Sequence, residues 1–279
     1  MQTSIKRDKT YNNVLSIVVE KIKILPKKNN KGRPNILKIE EYLEYILFVL
    51  ISGCSWDDLD LIPNMKIKGD TIRKKFNKWD TLAVFDNLFY DLLDQYIIEN
   101  NISRLFIDSY DCLNVSGHRS IVGLGHKYKG KNVVKITLLT DSNRIPFCVD
   151  ICKGNIHDNK RVLNVTKELP LSLNKTYNKP LSICADKGYI INKNLNKKYR
   201  VDHNFSIMTD KKKNMKKRIS KKNKEILKGR IIIEHLNSVL RKKFKHLSRI
   251  TDKNEKSVKK WFILSFIYLI IDYNNKKKI

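Results

Sequence analysis

The sequence predicts an α/β protein in which a mixed sheet with flanking helices follows an N-terminal all-helical domain. Apolar residues recur at helical spacing through residues 36–102, with few β-rich runs among them. From Ser103 onward, short runs rich in β-branched and aromatic residues alternate with helical segments. The chain has 279 residues and 41% hydrophobic content, enough for one large domain with a smaller accessory one.

The first part of the chain contains a basic leader and four predicted helices. Residues 1–35 form the leader, and residues 36–52 place their apolar side chains on one helical face. Ser55 precedes an acidic first turn, so its hydroxyl is expected to cap a second helix. A third helix is predicted to begin near Gly69, and a fourth spans about 82–100. Residues 36–102 are therefore interpreted as a helical domain.

Five β-rich runs and several helical segments are predicted in the second domain, residues 103–279. The runs are 104–108, 133–140, 145–151, 181–185 and 205–208. Helical segments at 159–169 and 192–198 separate the last three runs, which predicts a five-stranded sheet with helices. A Lys-rich loop, residues 211–228, then precedes two final helices at 229–245 and 255–273.

The charge of the chain indicates a polyanionic partner. Lysine and arginine number 57 against 28 acidic residues, a net charge of +29. Such an excess is self-repulsive unless a polyanion compensates it, and nucleic acid is the natural candidate, although an AT-rich genome would also enrich lysine and asparagine. The third helix directs four basic residues outward, and this face is expected either to bind DNA or to be a solvated basic face. They are Arg73, Lys74, Lys75 and Lys78.

Cysteine usage and hydropathy favour an intracellular protein. The five cysteines are odd in number and include no C-x-x-C pair, so neither a disulfide framework nor a zinc site is expected. The first 14 residues have no apolar run that would serve as a signal peptide. The longest apolar stretch, residues 261–271, is too short to span a bilayer, so no membrane segment is expected.

Three acidic residues stand in apolar surroundings where a carboxylate needs a compensating charge. Asp108 and Asp186 each end an apolar β-rich run, and Glu234 lies in a predicted apolar helix. Each alone fits a cap, a turn or a surface ion pair. Together they would repel one another unless divalent cations neutralised them, and hard oxygen ligands suit Mg²⁺ or Mn²⁺. Two such ions support in-line phosphoryl transfer on a phosphodiester.

Five motifs in sequence order carry a family resemblance. They are FIDS at 106–109, the run from Lys135 to Asp141, GNIHD at 154–158, ADKGY at 185–189 and RIIIE at 230–234, with Arg241 seven positions after the glutamate. This series, together with the helical segment before it, resembles DDE transposases of the insertion-sequence-five type over about residues 33–273. The resemblance implies a ribonuclease H-like core, with Asp108, Asp186 and Glu234 as catalytic residues that bind two Mg²⁺ or Mn²⁺ ions. Leu227 and Arg241 depart from the tyrosine and lysine of the family signature.

Residues around the three acids are expected to contact DNA. His157 either contacts the scissile strand or makes a structural hydrogen bond, while Asp158 is expected to cap the following helix. Lys187 and Tyr189 follow the second acid and are expected to touch the phosphate backbone, unless Gly188 simply makes a turn with Tyr189 packed beneath it. Arg230 and Arg241 flank Glu234 on one helix face and are expected to reach the DNA, although Arg230 could equally pair with Glu234.

The resulting function hypothesis is a DNA transposase that cleaves strands at element ends and transfers them into target DNA. Its expected partners are double-stranded DNA and a second copy of the chain, since cutting and joining two ends needs two active sites. The alternatives are a nuclease or resolvase on the same core and a non-catalytic DNA-binding protein derived from a transposase. Three intact acids argue against the last alternative.

Overall fold

A computed structural model describes residues 8–25, 36–114, 116–125, 128–170, 172–173, 181–189, 193–209 and 227–277. The α-helices are α1 (Lys9–Lys23), α2 (Ile39–Ser52), α3 (Gly69–Thr81), α4 (Val84–Glu99), α5 (Val162–Lys167), α6 (Lys193–His203), α7 (Ile231–Lys243) and α8 (Glu255–Lys277). The strands are β1 (Arg104–Leu113), β2 (Gly123–Leu124), β3 (Asn132–Thr140), β4 (Pro146–Lys153), β5 (Leu181–Ala185) and β6 (Phe205–Thr209). Residues 211–226 of the predicted Lys-rich loop lie outside the described residues.

The chain divides into two compact units. The helical unit comprises residues 1–92, 240–249 and 260–279, and the sheet unit comprises residues 93–239 and 250–259. The boundary near residue 92 lies ten positions before the predicted one. The prediction also assigned everything after residue 102 to one domain, whereas the structure groups most of α8 with the N-terminal helices. The reason is aromatic packing, which sequence order does not reveal.

That packing lies in the core of the helical unit. Trp261, at the start of the apolar part of α8, stacks on Trp56 with ring centroids 5.6 Å apart and contacts Phe76 at 4.7 Å. Trp261 comes from the C-terminal part of the chain, and the other two rings come from its N-terminal part. Their packing therefore joins both parts of the chain in one unit. Aromatic pairs of this kind add about 1 kcal/mol beyond the area they bury.

Helix α1 occupies residues 9–23 of the basic leader, for which no secondary structure was predicted. Val14 and Val18 are fully buried on its inner face, and the Asp8 side chain accepts a hydrogen bond from the Tyr11 N–H at the first turn. The Thr10 hydroxyl donates to Asp272 in α8 at 2.9 Å. The basic residues of α1 had masked an amphipathic pattern.

A short 3-10 helix, Asp57–Leu61, replaces the second predicted α-helix. Its start confirms the predicted cap, because the Asp58 N–H donates to the Ser55 hydroxyl at 3.1 Å. The Ser55 N–H donates in return to the Asp58 carboxylate at 2.6 Å. This reciprocal pair is a capping arrangement that satisfies two backbone donors at once.

The sheet has the strand order of a ribonuclease H-like core, which confirms the predicted fold class. β1 pairs with β3 and β3 with β4 in antiparallel ladders, while β1 pairs with β5 and β5 with β6 in parallel ladders. The five long strands thus lie in the order β4-β3-β1-β5-β6. The two-residue β2 also pairs with β3 and makes the sheet six-stranded rather than five-stranded.

Strand β1 extends five residues beyond its predicted end at Asp108. Its antiparallel ladder with β3 continues from Phe106, opposite Thr140, to Leu113, opposite Val133. Residues 108–111 are only partly buried, so their polar character concealed a strand whose backbone is nevertheless fully paired. Asp108 therefore lies in the middle of a strand and not where a strand meets the surface.

Among the residues that the structure describes, no helix is long and apolar enough to cross a membrane.

Candidate active site

Asp108 and Asp186 occupy matching positions on neighbouring parallel strands. The β1–β5 register pairs Leu105 with Ile183 and Phe106 with Cys184, and each aspartate lies two residues further along its own chain. Side chains two residues apart on a strand point to the same face, so the register favours the same face of the sheet for both carboxylates. Asp108 is partly buried, while the Asp186 side chain is 50% exposed.

Arg230 joins the second and third predicted acids. One guanidinium nitrogen of Arg230 lies 2.7 Å from the Asp186 carboxylate, and the other lies 3.3 Å from the Glu234 carboxylate. Glu234 stands in the first turn of α7, four residues after Arg230, so the i, i+4 ion pair foreseen as an alternative to a DNA contact is present. The two contacts hold the start of α7 against the segment that follows β5.

Asp108 titrates under the influence of the same groups. Its pKa is raised to about 6, chiefly because burial disfavours the charged form. The negative charges of Glu234 and Asp186 also raise this pKa. The Ser109 backbone N–H, as a hydrogen-bond donor, and the Arg230 guanidinium lower it. Asp186, Glu234 and Arg230 thus act on the charge of Asp108, and we call these three acids and Arg230 the acid cluster.

The donor chemistry of this cluster fits a hard divalent cation. Three carboxylates supply the oxygen ligands that Mg²⁺ and Mn²⁺ prefer. In the described part of the chain, no three acid, histidine or cysteine side chains lie in an arrangement that could hold a metal ion. The Arg230 guanidinium lies between two of the acids and supplies positive charge there. The structure therefore shows two of the three acids paired with an arginine.

Asn237 is a residue of this cluster that sequence analysis missed. It lies one turn after Glu234 on α7, is only 4% exposed, and donates a hydrogen bond from its side-chain nitrogen to Asp108 at 3.2 Å. Its neighbours Ile233, Leu236 and Leu240 are buried. A polar amide at i+3 from the glutamate, within an otherwise apolar face, is the sequence signal that could have indicated it.

Three hydrogen-bonded hydroxyl groups connect the strand of Asp108 with β3 and with the turn after Asp186. The buried Tyr189 hydroxyl is hydrogen-bonded to the Ser109 hydroxyl, which in turn lies 2.8 Å from the Thr137 hydroxyl on β3. Tyr189 is 1% exposed, so it packs beneath the turn after Asp186 and does not reach the phosphate backbone. One side-chain bridge thus connects the residue after Asp108 to the turn after Asp186.

The loop after β4 lies beside that turn. The His157 ring accepts a 3.4 Å hydrogen bond from the Asn159 N–H at the start of the 3-10 helix Asp158–Lys160. The predicted cap, Asp158, instead forms a 2.7 Å ion pair with Lys135. A Cβ added to Gly188 would lie 3.2 Å from the Asp158 carboxylate, so the loop packs closely on the turn after Asp186. His157 is therefore near the acid cluster and makes the structural hydrogen bond foreseen as one alternative.

The remaining predicted DNA contacts differ in their surroundings. On α3, Arg73 and Lys74 both pair with Asp70, Lys74 at 2.8 Å, and Lys75 lies over the rings of Tyr42 and Trp79 at 5.5 and 5.6 Å. Lys78 on α3 and Arg241 on α7 are exposed. The side chain of Lys187 lies outside the described residues. The α3 residues belong to the helical unit, and the acid cluster belongs to the sheet unit.

Comparison with known proteins identifies the family of the chain. The family model described as a transposase DDE domain matches residues 91–270, well over half of the chain. A solved structure of a piggyBac transposase synaptic complex with hairpin DNA is similar over 96% of this chain and 73% of that chain, at 12% identity and a TM-score of 0.48. No curated protein sequence matches. The match of the family model, which spans the sheet and all three acids, shows that the chain belongs to the transposase DDE domain family.

Proposed function

We propose that this protein is a DNA transposase of the insertion-sequence-five type. In this proposal it cleaves strands at element ends and joins the resulting 3′-hydroxyls to target DNA, with Asp108, Asp186 and Glu234 as the catalytic acids. The observation that carries the proposal is the convergence of these acids in one cluster. Asp108 and Asp186 are matched by strand register, and Arg230 contacts Asp186 and Glu234 together.

Each residue of the cluster has a role in the proposed reaction. When bound, two Mg²⁺ or Mn²⁺ ions would activate the attacking oxygen and stabilise the leaving oxygen of the phosphodiester. The three carboxylates hold the positive charge in place, and partial burial of Asp108 limits competing water. Arg230, once displaced from the acids, remains close enough to bind a phosphate oxygen of the DNA with its planar pair of donors.

Double-stranded DNA is the proposed partner, and the basic side chains divide into two groups. Arg73, Lys74, Lys75 and Lys78 present cationic groups on α3 for recognition of element ends, with the Asp70 pairs of the first two exchanged for phosphates. His157, Lys187, Arg230 and Arg241 are proposed to bind the strand that is cut. The net charge of +29 predicts that binding weakens steeply with salt, since phosphate contacts release counterions. Two active sites for two ends imply a homodimer on DNA.

The test is substitution of each acid by its neutral isostere in the full chain. Asp108→Asn, Asp186→Asn and Glu234→Gln each remove a ligand oxygen but no phosphate contact, so we expect loss of Mg²⁺-dependent cleavage with DNA binding retained. Asp202→Asn is the matched control, because Asp202 is an exposed acid on α6 and its change should leave cleavage intact. Cleavage that survives in two of the three variants would refute the assignment.

The products distinguish the transposase from a nuclease on the same core. A transposase joins the cut 3′ ends to a second DNA, whereas a nuclease or resolvase of the kind considered above leaves them unjoined. Incubation of labelled ends with a plasmid target, followed by detection of joined products, separates the two. Absence of both cleavage and joining in the intact chain, with DNA binding retained, would favour a non-catalytic DNA-binding protein.

A further inference from the structure

Asn237 connects the helix of the third acid to the strand of the first. Its side-chain nitrogen donates to Asp108 Oδ2 at 3.2 Å, across 129 positions of sequence. Glu234 lies three residues earlier on the same face of α7 and is itself exposed. Among the described hydrogen bonds, this is the direct side-chain contact between α7 and Asp108. The contact of Asn237, one helical turn after Glu234, therefore fixes the position of Glu234 relative to Asp108.

The chemistry of an amide suits this place better than that of other side chains. Burial of a polar group costs free energy unless it is hydrogen-bonded, and Asn237 finds its acceptor in the carboxylate that it faces. A lysine or arginine here would bring a positive charge that competes with a bound cation. An aspartate would repel Asp108. A neutral donor engages Oδ2 and adds no charge to the acid cluster.

We propose that Asn237 is a positioning residue for metal binding: by donating to Oδ2 it fixes the orientation of the Asp108 carboxylate, so that Oδ1 faces the cation shared with Asp186 and Glu234. This inference rests on the proposed function, because it assumes that the three acids bind a divalent cation. Partners that orient the ligands of a metal are commonly worth about 10- to 100-fold in metal affinity. Asn237 itself contacts neither the metal nor the DNA in this proposal.

A purely structural role makes a different prediction. If Asn237 only satisfied its own burial, an apolar residue of similar volume would change stability and leave the affinity of the folded protein for cations unchanged. The decisive measurement is therefore cation affinity in folded protein, with stability followed separately. Mn²⁺ is a suitable probe because electron paramagnetic resonance reports the concentration of the free ion directly.

The experiment compares the full chain with three substitutions in titrations with Mn²⁺ alone. Asn237→Leu removes the donor and keeps the volume, and we expect it to weaken Mn²⁺ binding by about tenfold. Asn196→Leu is the matched control: the Asn196 amide bonds both backbone groups of Ile207 at 3.0 and 2.9 Å, on α6 and away from the acids. It should lower the unfolding temperature without changing Mn²⁺ affinity. Asp108→Asn should abolish the binding that depends on the cluster.

The outcomes separate failure of this inference from failure of the proposed function. If the wild-type chain binds Mn²⁺ in a manner that Asp108→Asn abolishes, while Asn237→Leu binds as tightly as wild type, Asn237 is structural only. If wild type and Asp108→Asn bind Mn²⁺ alike, the metal assignment itself is wrong, and the inference falls with it. Asn237→Ser, whose hydroxyl is too short to reach Asp108, replaces Asn237→Leu if that variant does not fold, with the same expected weakening.

Discussion

Replacement of Arg230 by glutamine is expected to tighten the binding of divalent cations to the DNA-free protein. Arg230 supplies positive charge between Asp186 and Glu234, so a cation that binds these acids must first displace the guanidinium. The direction of the effect is unusual, because loss of a side chain at an active site more often weakens binding. It follows from treating Arg230 as a competitor of the cation.

The size of the effect follows from the exposure of the two ion pairs. The side chains of Asp186 and Glu234 are 50% and 54% exposed, so solvent screens both contacts. Each exposed pair is worth about 0.2–1 kcal/mol, and the two together about 1 kcal/mol. Removal of that competition corresponds to roughly fivefold tighter Mn²⁺ binding. Arg230→Lys keeps a charge but lacks the planar pair of donors, so its effect should be smaller.

Titration of free Mn²⁺ by electron paramagnetic resonance, with no DNA present, measures this directly. Arg200→Gln is the matched control, since Arg200 is exposed on α6 and its replacement removes the same charge. We expect the control to bind Mn²⁺ as wild type does. Weaker binding by Arg230→Gln than by Arg200→Gln would show that the guanidinium supports the site and does not compete with the cation, and the reasoning would be refuted.

Three further predictions concern the sheet unit. Burial raises the pKa of Asp108 to about 6, so ionisation of this carboxyl destabilises the folded chain by an amount that grows as pH rises from the ordinary pKa of an aspartate to about 6 and is complete above that value. Asp108→Asn should therefore stabilise the metal-free protein against urea at pH 7.5 and have little effect at pH 4. Equal effects at the two pH values would contradict the raised pKa of Asp108. Tyr189→Phe, which removes the bond to Ser109, should lower the free energy of unfolding by about 1 kcal/mol in the same assay, and an unchanged midpoint would argue against the bridge. Arg161→Leu should lower the free energy of unfolding by roughly 3 kcal/mol, because it leaves the Asp150 carboxylate, which is 9% exposed, without the arginine that contacts both of its oxygens. This loss of stability should largely disappear in the double variant with Asp150→Leu.

Local patterns in the sequence were sufficient to predict the sheet and the two aspartates. Runs of β-branched residues identify the strands, and the apolar run before Asp186 places that acid directly after a buried strand. The same reasoning ended β1 at Asp108, because partly exposed positions of a paired strand accept polar residues freely. A ladder with β3 holds those positions in the sheet, and pairing between distant segments is not visible in local composition.

Contacts between distant segments also explain what sequence analysis missed around the acids. Asn237 is separated from Asp108 by 129 positions, so its apolar neighbours on α7 indicate that the amide is buried but not which residue accepts its hydrogen bond. The place of α8 is a similar case, since its apolar run is equally compatible with either unit. The rings of Trp56 and Phe76, more than 180 positions earlier, are among those against which Trp261 is buried.

The grouping of α8 with the N-terminal helices affects the order in which the chain can fold during synthesis. The hydrogen bond from Thr10 to Asp272 joins residues 262 positions apart, so the helical unit stays incomplete while the ribosome makes the whole sheet unit. Until α8 has been made, the first three helices have an uncovered apolar surface, and such surfaces favour aggregation or chaperone binding. The sheet unit, in contrast, has all but residues 250–259 available before α8 is made. A ribosome stalled before residue 260 should therefore carry a nearly complete catalytic sheet and an N-terminal region still sensitive to protease.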